Sequence, residues 1–387
     1  MDLRETAADR EFRGVVRAWL ADNLTGEFAA ARGLGGPGRE EEAFDLRWAW
    51  ERHLGAAGWT CLGWPPEHGG RGLPVTQQVI FYEEYAEAEA PARVGVIGEG
   101  MVGPTLLAFG TPEQQRKFLP GIQAGTELWC QGYSEPDAGS DLANIATRAI
   151  REGDEFVLEG QKVWTSLAHV AQWAFVLART EAGSTRHRGL SYLLVPMNQA
   201  GVDIRPITQI TGTSEFNEVF FDGARTTVDN VVGDVGDGWR VALATLDFER
   251  GTMTLGQQVG FRRELQRVVE TARKTGAIGD PLIRDRLRQA WIEVEIMRLN
   301  ALRSLASGNT APTASIGKLF WSEWHRRLGE LAMDVLGVKA LVADDAPYGL
   351  SDAQRLFLFT RADTIYAGSS EIQKNIIAQR VLGLPRA

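Results

Sequence analysis

Three stretches of this chain carry side chains that could do chemistry. The first is Gln131-Gly132-Tyr133-Ser134-Glu135-Pro136-Asp137-Ala138-Gly139-Ser140-Asp141-Leu142. Pro136 fixes φ, Gly139 permits positive φ, and Ser134, Asp137, Ser140 and Asp141 can bond nearby backbone. Such a loop presents N–H groups and hydroxyls in a concave array that suits a phosphate or the polar edge of a heterocycle. It also reads as an ordinary connecting turn. The second stretch is Gly160-Gln161-Lys162-Val163-Trp164-Thr165-Ser166, with an indole and a hydroxyl two residues apart. Taken alone, Trp164 reads as a half-buried strand aromatic. The third is Leu246-Asp247-Phe248-Glu249-Arg250. Glu249 shares a helical face with Ala242, Leu246 and Met253. A carboxylate on an apolar stripe is desolvated, which raises its pKa toward the range of a general base. The alternative is an ion pair with Arg250 or with another arginine at a subunit contact.

The elements that must position these groups fall into three blocks. Residues 1–122 read as helical: Glu11 to Leu20, Phe44 to Gly58 and Val75 to Ala88 show apolar residues at helical spacing. In the last of these, Val79 and Tyr82 lie on one side and Glu83, Glu84 and Glu87 on the other. Arg32 to Glu40 is a glycine-rich loop, and Gly63-Trp64-Pro65-Pro66-Glu67-His68-Gly69-Gly70 is a turn cluster. Thr111 and Pro112 open a further helix as N-cap and first residue. Residues 123–234 read as β, with strands at Ala146 to Ile150, Phe156 to Glu159, Trp173 to Arg179, Leu190 to Pro196, Val202 to Pro206 and Val219 to Phe221. Their spacing suggests a barrel or sandwich rather than βαβ units. Residues 235–387 return to helix: Trp239 to Val259, continued by Phe261 to Lys274; one opening at Asp280-Pro281; Ala314 to Leu336; Asp352 to Ile365; and Ile372 to Val381, capped by Ser369-Ser370-Glu371.

Gly98-Glu99-Gly100-Met101-Val102-Gly103 matches G-x-G-x-x-G literally. A dinucleotide site needs a strand before it and an acid about twenty residues on, whereas here a Glu-rich helical segment precedes. Among 43 glycines chance matches are expected.

Composition bounds the function classes. The 387 residues, 44% hydrophobic and 24% charged, are those of a globular protein with material for two or three cores. A net charge of −9 and a pI near 5.3 argue against a nucleic-acid binder. Cys61 and Cys130 form neither a C-x-x-C pair nor a disulfide framework, which fits a reducing cytosol. His53, His68, His169, His187 and His325 show no metal-ligand spacing. No secretory or membrane-spanning run and no terminal targeting signal is seen, so a cytoplasmic location is expected.

The first loop, as Ser134-Glu135-Pro136-Asp137-Ala138-Gly139-Ser140-Asp141, resembles the flavin-contacting signature [T/S]-E-x-x-[A/S]-G-S-D of the acyl-CoA dehydrogenases. The second resembles that family's G-x-K-x-W-x-[T/S], and the turn at Trp64-Pro65 and the helix ending Leu119-Pro120 are similar to family features. The resemblance runs through almost the whole chain. It implies an α+β fold: an N-terminal helical domain, a middle β-barrel or sandwich domain and a C-terminal four-helix bundle. It implies FAD as cofactor, with Gln131, Tyr133, Ser134, Gly139, Ser140, Trp164, Ser166, Ser369 and Glu371 around it. Arg273 would reach the FAD pyrophosphate of a neighbouring subunit, beside Asp334 and Gly337. Gly276 stands where that arginine motif has Phe, and of the usual Q-x-x-G-G only Gly337 matches well.

Family members usually carry Y-E-G-T-S near the C-terminus, the Glu being the catalytic base. Here Tyr366-Ala367-Gly368-Ser369-Ser370 occupies that place, and Ala367 cannot take a proton. Isovaleryl-CoA, long-chain and bacterial sterol side-chain members place the base at the Glu-Arg that Glu249 and Arg250 match. The resemblance then implies that Glu249 abstracts the Cα proton of an acyl-CoA while hydride passes from Cβ to flavin N5. The backbone N–H of Ala367 would serve the thioester oxygen. Ser140, Asp247, Arg250 and Gly368 would contact substrate. It further implies an electron-transferring flavoprotein as acceptor and a homotetramer or a two-plus-two heterotetramer. A flavin monooxygenase or oxidase on the same fold, and a subunit of a heteromeric dehydrogenase, are the alternatives.

Overall fold

The computed structural model describes residues 5–306, 311–343 and 349–385; the side chains of 249–256, 302, 304–306 and 311–313 lie outside that description. Five helices come first: α1 (Ala7–Asn23), α2 (Phe44–Ala56), α3 (Val75–Glu87), α4 (Gly103–Phe109) and α5 (Pro112–Gln123). The expected cap of α5 is present. Thr111 Oγ1 accepts from the Gln114 N–H at 3.2 Å, and Gln114 Oε1 accepts from the Thr111 N–H at 3.0 Å. Val16, Leu20, Trp50, Leu54, Trp59 and Phe81 are buried where these helices meet. Each such side chain contributes roughly 1.5–3 kcal/mol on burial.

One helix face differs from expectation. Glu84 is buried, not solvent-facing, because Arg13 and Arg17 of α1 each reach it at 2.8 Å. The literal G-x-G-x-x-G proves to be a π-helical turn, Gly98–Val102, leading into α4, with no strand before it among the described residues.

Eight strands follow: β1 (Trp129–Gly132), β2 (Arg148–Glu152), β3 (Glu155–Ser166), β4 (Trp173–Arg179), β5 (Leu190–Pro196), β6 (Val202–Pro206), β7 (Phe216–Thr227) and β8 (Val231–Val232). They form one sheet in the order β6-β7-β3-β2-β4-β5-β8, with β1 parallel to β4. Alternation in β4 explains how one sheet serves two cores. Phe175 and Leu177 face a cluster shared with the helices; Ala174, Val176 and Ala178 face a cluster made with β3, β5 and β7. The sheet curls far enough for the Thr226 hydroxyl of β7 to donate to the Leu194 carbonyl of β5 at 2.6 Å. Short β1 and β8 are too brief to show a period in the sequence.

The remaining helices are α6 (Gly238–Thr275), α7 (Pro281–Ala306), α8 (Ala311–Leu336), α9 (Asp352–Phe359) and α10 (Ser370–Ile376). α6 is one 38-residue helix ended by Gly276 at φ +81°, the left-handed stop that glycine takes without strain. Helices α6, α7 and α8 enclose Phe261, Leu265, Val294, Trp324 and Leu331. α9 ends sooner than the helical spacing to Ile365 suggests, and its continuation turns Asp363 inward. Among the described residues no helix is long and apolar enough to cross a membrane.

Candidate active site

β1 delivers the chain into the polar loop. Glu135 and Ala138 exchange both backbone hydrogen bonds, at 3.1 and 3.0 Å, so Pro136 and Asp137 form the corner of a tight turn. The Glu135 side chain points inward. It accepts from the N–H groups of Ala146 (2.6 Å) and Thr147 (3.0 Å) and from Lys162 Nζ (2.8 Å). Lys162, fully buried, also donates to the carbonyls of Tyr133 (3.1 Å) and Leu177 (2.8 Å). All three of its N–H donors are used, which is what makes a buried ammonium tolerable. Burial pulls Lys162 down to about 8 against the opposing pull of Glu135. Burial would raise Glu135, but Lys162 and the N–H of Ala146 hold it below the ordinary carboxylate range.

This ion pair bolts the two motifs together. The Val163 N–H donates to the Ser134 carbonyl at 2.9 Å, so Ser134 and Trp164 stand side by side. The sequence reading gave neither Glu135 nor Lys162 a role. The available signal was a lone lysine within an otherwise strand-like segment, which needs a buried acid.

Trp164 is 58% exposed, not half-buried as its strand position suggests. It sits at a break in the β3–β7 register between Lys162 and Thr165, at φ +60°, a conformation that costs a non-glycine residue roughly 1–2 kcal/mol. Its ring meets Phe216 edge-on at 6.0 Å. Strained, exposed aromatics of this kind mark ligand platforms. Gly160, which opens the element, has φ +145°, and a Cβ there would lie 2.6 Å from Thr147 Oγ1; only glycine lets β3 pass. Ser166 is the last residue of β3, opposite Phe216. Gly139 does not use positive φ, contrary to expectation; apart from its chain neighbours, no atom of the described residues stands within 4 Å of where its Cβ would be. The turn closes through Glu135 and Ala138 instead. Ser140 beside it is exposed.

Tyr133 links this loop to the long helix. It is buried, edge-on to Phe175 and Tyr192. The Tyr192 hydroxyl sits among those of Tyr133, Thr105 and Thr245, and Thr105 Oγ1 lies 2.8 Å from Thr245 Oγ1. Ala242 and Leu246 of α6 pack on the same cluster, as the apolar stripe predicts. Residue 249 follows Thr245 by one helical turn. The side chains of Glu249 and Arg250 lie outside the described residues; Asp247 is exposed.

The C-terminal segment is held from both sides. Ala367 adopts φ +52° and Gly368 φ +88°. Gln373 Nε2 donates to their carbonyls at 3.0 and 3.4 Å. Ser369 caps α10 as expected, accepting from the Ile372 N–H at 3.3 Å, and Glu371 is exposed in its first turn. A cavity of about 270 Å³ here is lined by Glu323, Arg326, Thr364, Ile365, Ser369, Ser370 and Glu371.

Arg273, Asp334 and Gly337 do not join this constellation. Arg273 lies on the last turn of α6, 24 residues or ~36 Å of helix beyond position 249. Asp334 pairs with Arg286 at 2.6 Å, and Gly337, at φ +62°, begins a 3-10 turn after α8. They lie at the ends of α6 and α8, away from the loop and β3.

The residues of the loop and of β3 fit an isoalloxazine with a phosphate tail. Trp164 offers an exposed ring face. Ser134 and Ser166 offer hydroxyls, and the space over Gly139 is clear for close approach. Among the described residues Gln131 Nε2 and Thr165 Oγ1 are buried with no hydrogen-bond partner, the condition of groups reserved for a ligand edge.

Three family models match the chain: the acyl-CoA dehydrogenase N-terminal domain over residues 6–126, the middle domain over 130–224 and the C-terminal domain over 236–382. Acyl-CoA dehydrogenase IpdE1 of Mycobacterium tuberculosis is 64% identical over 378 residues, covering 97% of this chain and 98% of that protein. Among solved structures, the Tcur3481-Tcur3483 steroid ACAD superposes with a TM-score of 0.85 at 31% identity, over 100% of both chains. The ChsE4-ChsE5 complex from Mycobacterium tuberculosis does so with a TM-score of 0.83 at 32% identity, again over 100% of both.

Proposed function

The chain belongs to the acyl-CoA dehydrogenase family and catalyses FAD-dependent dehydrogenation of an acyl-CoA thioester; from this premise we propose that Glu249 is its base and that the Ala367 N–H binds the thioester oxygen. The observation that carries the proposal is the hydroxyl cluster of Tyr133, Tyr192, Thr105 and Thr245. It joins the flavin loop to α6 one turn before position 249, on the face where Ala242 is buried and Leu246 partly so.

Bound FAD supplies the hydride acceptor. Gln131, Tyr133, Ser134, Gly139, Ser140, Trp164 and Ser166 hold it, with Ser369 and Glu371 at its edge. Glu249 takes the Cα proton. The Ala367 N–H donates to the thioester oxygen as enolate charge grows there, a contact of a kind worth roughly 3–4 kcal/mol. Replacement of the usual Glu by Ala367 removes a side chain and leaves that N–H in place. Arg250 holds the thioester region, and Ser140, Asp247 and Gly368 line its path.

Arg273, Asp334 and Gly337 serve the FAD of a neighbouring subunit, so the working form is an oligomer, a homotetramer or a two-plus-two heterotetramer. Two observations favour the heteromer. Gly276 offers no ring for adenine stacking, and Asp334 brings a carboxylate, tied to Arg286, toward a pyrophosphate. The paired relatives Tcur3481-Tcur3483 and ChsE4-ChsE5 agree with that arrangement. The steroid designation of the former suggests a polycyclic thioester. An electron-transferring flavoprotein is the acceptor in this reading, the enzyme is cytoplasmic, and its domains divide at 122/123 and 234/235.

The test is anaerobic addition of acyl-CoAs, straight-chain, branched and steroid-side-chain, to the yellow holoenzyme and to Glu249→Gln. A thioester that bleaches the wild type but only binds to the variant supports the assignment. Equal bleaching in both removes Glu249 from the mechanism. A yellow protein that no thioester bleaches, with oxygen-reactive reduced flavin, points to a monooxygenase.

A further inference from the structure

We propose that His325 is a positioning residue: bridging Glu264 and Asp363 as an imidazolium, it ties the helix that carries Glu249 to the loop that presents the Ala367 N–H. The proposal rests on the assignment of that N–H to the thioester oxygen. His325 lies on α8, outside every motif discussed above, and is 2% exposed. Its Nδ1 is 2.7 Å from Asp363 Oδ2 and its Nε2 is 2.6 Å from Glu264 Oε2. Glu264 is on α6, 15 residues or ~22 Å of helix beyond position 249. Asp363 is fully buried. Its second oxygen accepts from the Tyr366 hydroxyl at 2.7 Å, and its carbonyl accepts from Lys318 Nζ at 2.7 Å. Tyr366 immediately precedes Ala367, whose left-handed φ persists only if its surroundings impose it.

A neutral imidazole has one N–H and one lone pair, so only the imidazolium donates to both carboxylates. Burial would push His325 down, but Glu264 and Asp363 outweigh it and lift it to about 9. Phe261 and Trp324 wall the ring at centroid distances of 4.4 and 6.1 Å. Among the described residues the charged groups on the ring are Glu264 from α6 and Asp363 from the segment after α9; Tyr366 from that segment and Lys318 from α8 itself reach Asp363. Loss of the proton sets a lone pair against one carboxylate. Asp363 then loosens, and Tyr366 and Ala367 loosen with it.

The experiment uses 4-(dimethylamino)cinnamoyl-CoA, an enoyl thioester whose absorption moves to the red when donors polarise its carbonyl. Holoenzyme at pH 7 shifts the band of the bound probe, and the shift fades as pH rises through about 9. His325→Gln binds the probe without the shift at any pH. Hydrogen exchange across residues 360–376 runs about tenfold faster in the variant, while α7 is unchanged. A variant that keeps the shift, its pH response and the exchange rates overturns the proposal. So does a wild-type shift that is flat to pH 10, a titration that needs no variant to fold. Should the wild type not hold the probe, exchange decides: no acceleration across 360–376 overturns the proposal, and acceleration confined there supports it. Glu249→Gln is the control. It keeps the shift, because polarising the carbonyl does not need the base, so failure of the base assignment is read separately.

Discussion

Two regions of this molecule solve the same problem with different cations. In the middle domain a buried ammonium, Lys162, holds the Glu135 carboxylate and so fixes the flavin loop to its strand. In the C-terminal domain a buried imidazolium, His325, holds Asp363 and Glu264 and so fixes a loop between two helices. The lysine spends its three donors inside one rigid sheet-and-loop unit. The histidine has two donors, and both cross between elements. A cofactor bed needs permanence, which the first arrangement gives. A loop that must meet a substrate carbonyl gains adjustability from the second, and with it sensitivity to pH.

The comparison breaks most visibly at Lys162. Lys162→Met leaves Glu135 buried and uncompensated, so a loss of about 3–5 kcal/mol is expected. The variant should come off the column without its yellow colour, and urea denaturation would measure the deficit. A variant that unfolds like wild type would show that the ion pair is not what holds the loop. Next is Gly160→Ala, where a Cβ would meet Thr147. We expect about 1–3 kcal/mol of destabilisation, read by thermal unfolding, with FAD affinity falling in parallel because the strand moves as a unit.

Trp164 sharpens the contrast with a smaller change of split sign. Trp164→Gly relieves the left-handed strain, so the apoprotein should keep its stability or gain about 1 kcal/mol. The holoprotein should bind FAD more weakly, since the exposed ring is gone; equilibrium dialysis of FAD separates the two effects. The smallest effect is the pH dependence at His325. Its folded pKa, about 9, lies above the ordinary 6.5, so the bridge stabilises fully below about 6.5 and fades as pH rises through 9. The stability difference between wild type and His325→Gln, followed from pH 6 to 10, should narrow along that course.

Much of the fold was legible. The order of helical, β and helical blocks follows from period 3.6 giving way to period 2 and back, and the two caps read from the sequence, Thr111 and Ser369, both hold their helices. Strands β4, β5 and β6 begin and end where their apolar runs do. What escaped were elements without a period: the two-residue β8, the four-residue β1 and the π-helical turn at Gly98. Glu84 was misplaced because its helix position alone cannot show two arginines waiting on α1.

The candidate site divides along the same line. The sequence by itself determined the glycine, proline and hydroxyl pattern of the flavin loop, the Trp164 element and the apolar stripe of α6, since these are local properties of spacing and side-chain type. Only the tertiary structure decided that Glu135 reaches Lys162, that Trp164 stands exposed in a strained bulge, and that His325 lies between Glu264 and Asp363. Each of those is a pairing across 27 to 61 residues or a backbone conformation imposed by neighbours. A buried charge finds its partner by packing, and no spacing rule along the chain records where packing will bring it.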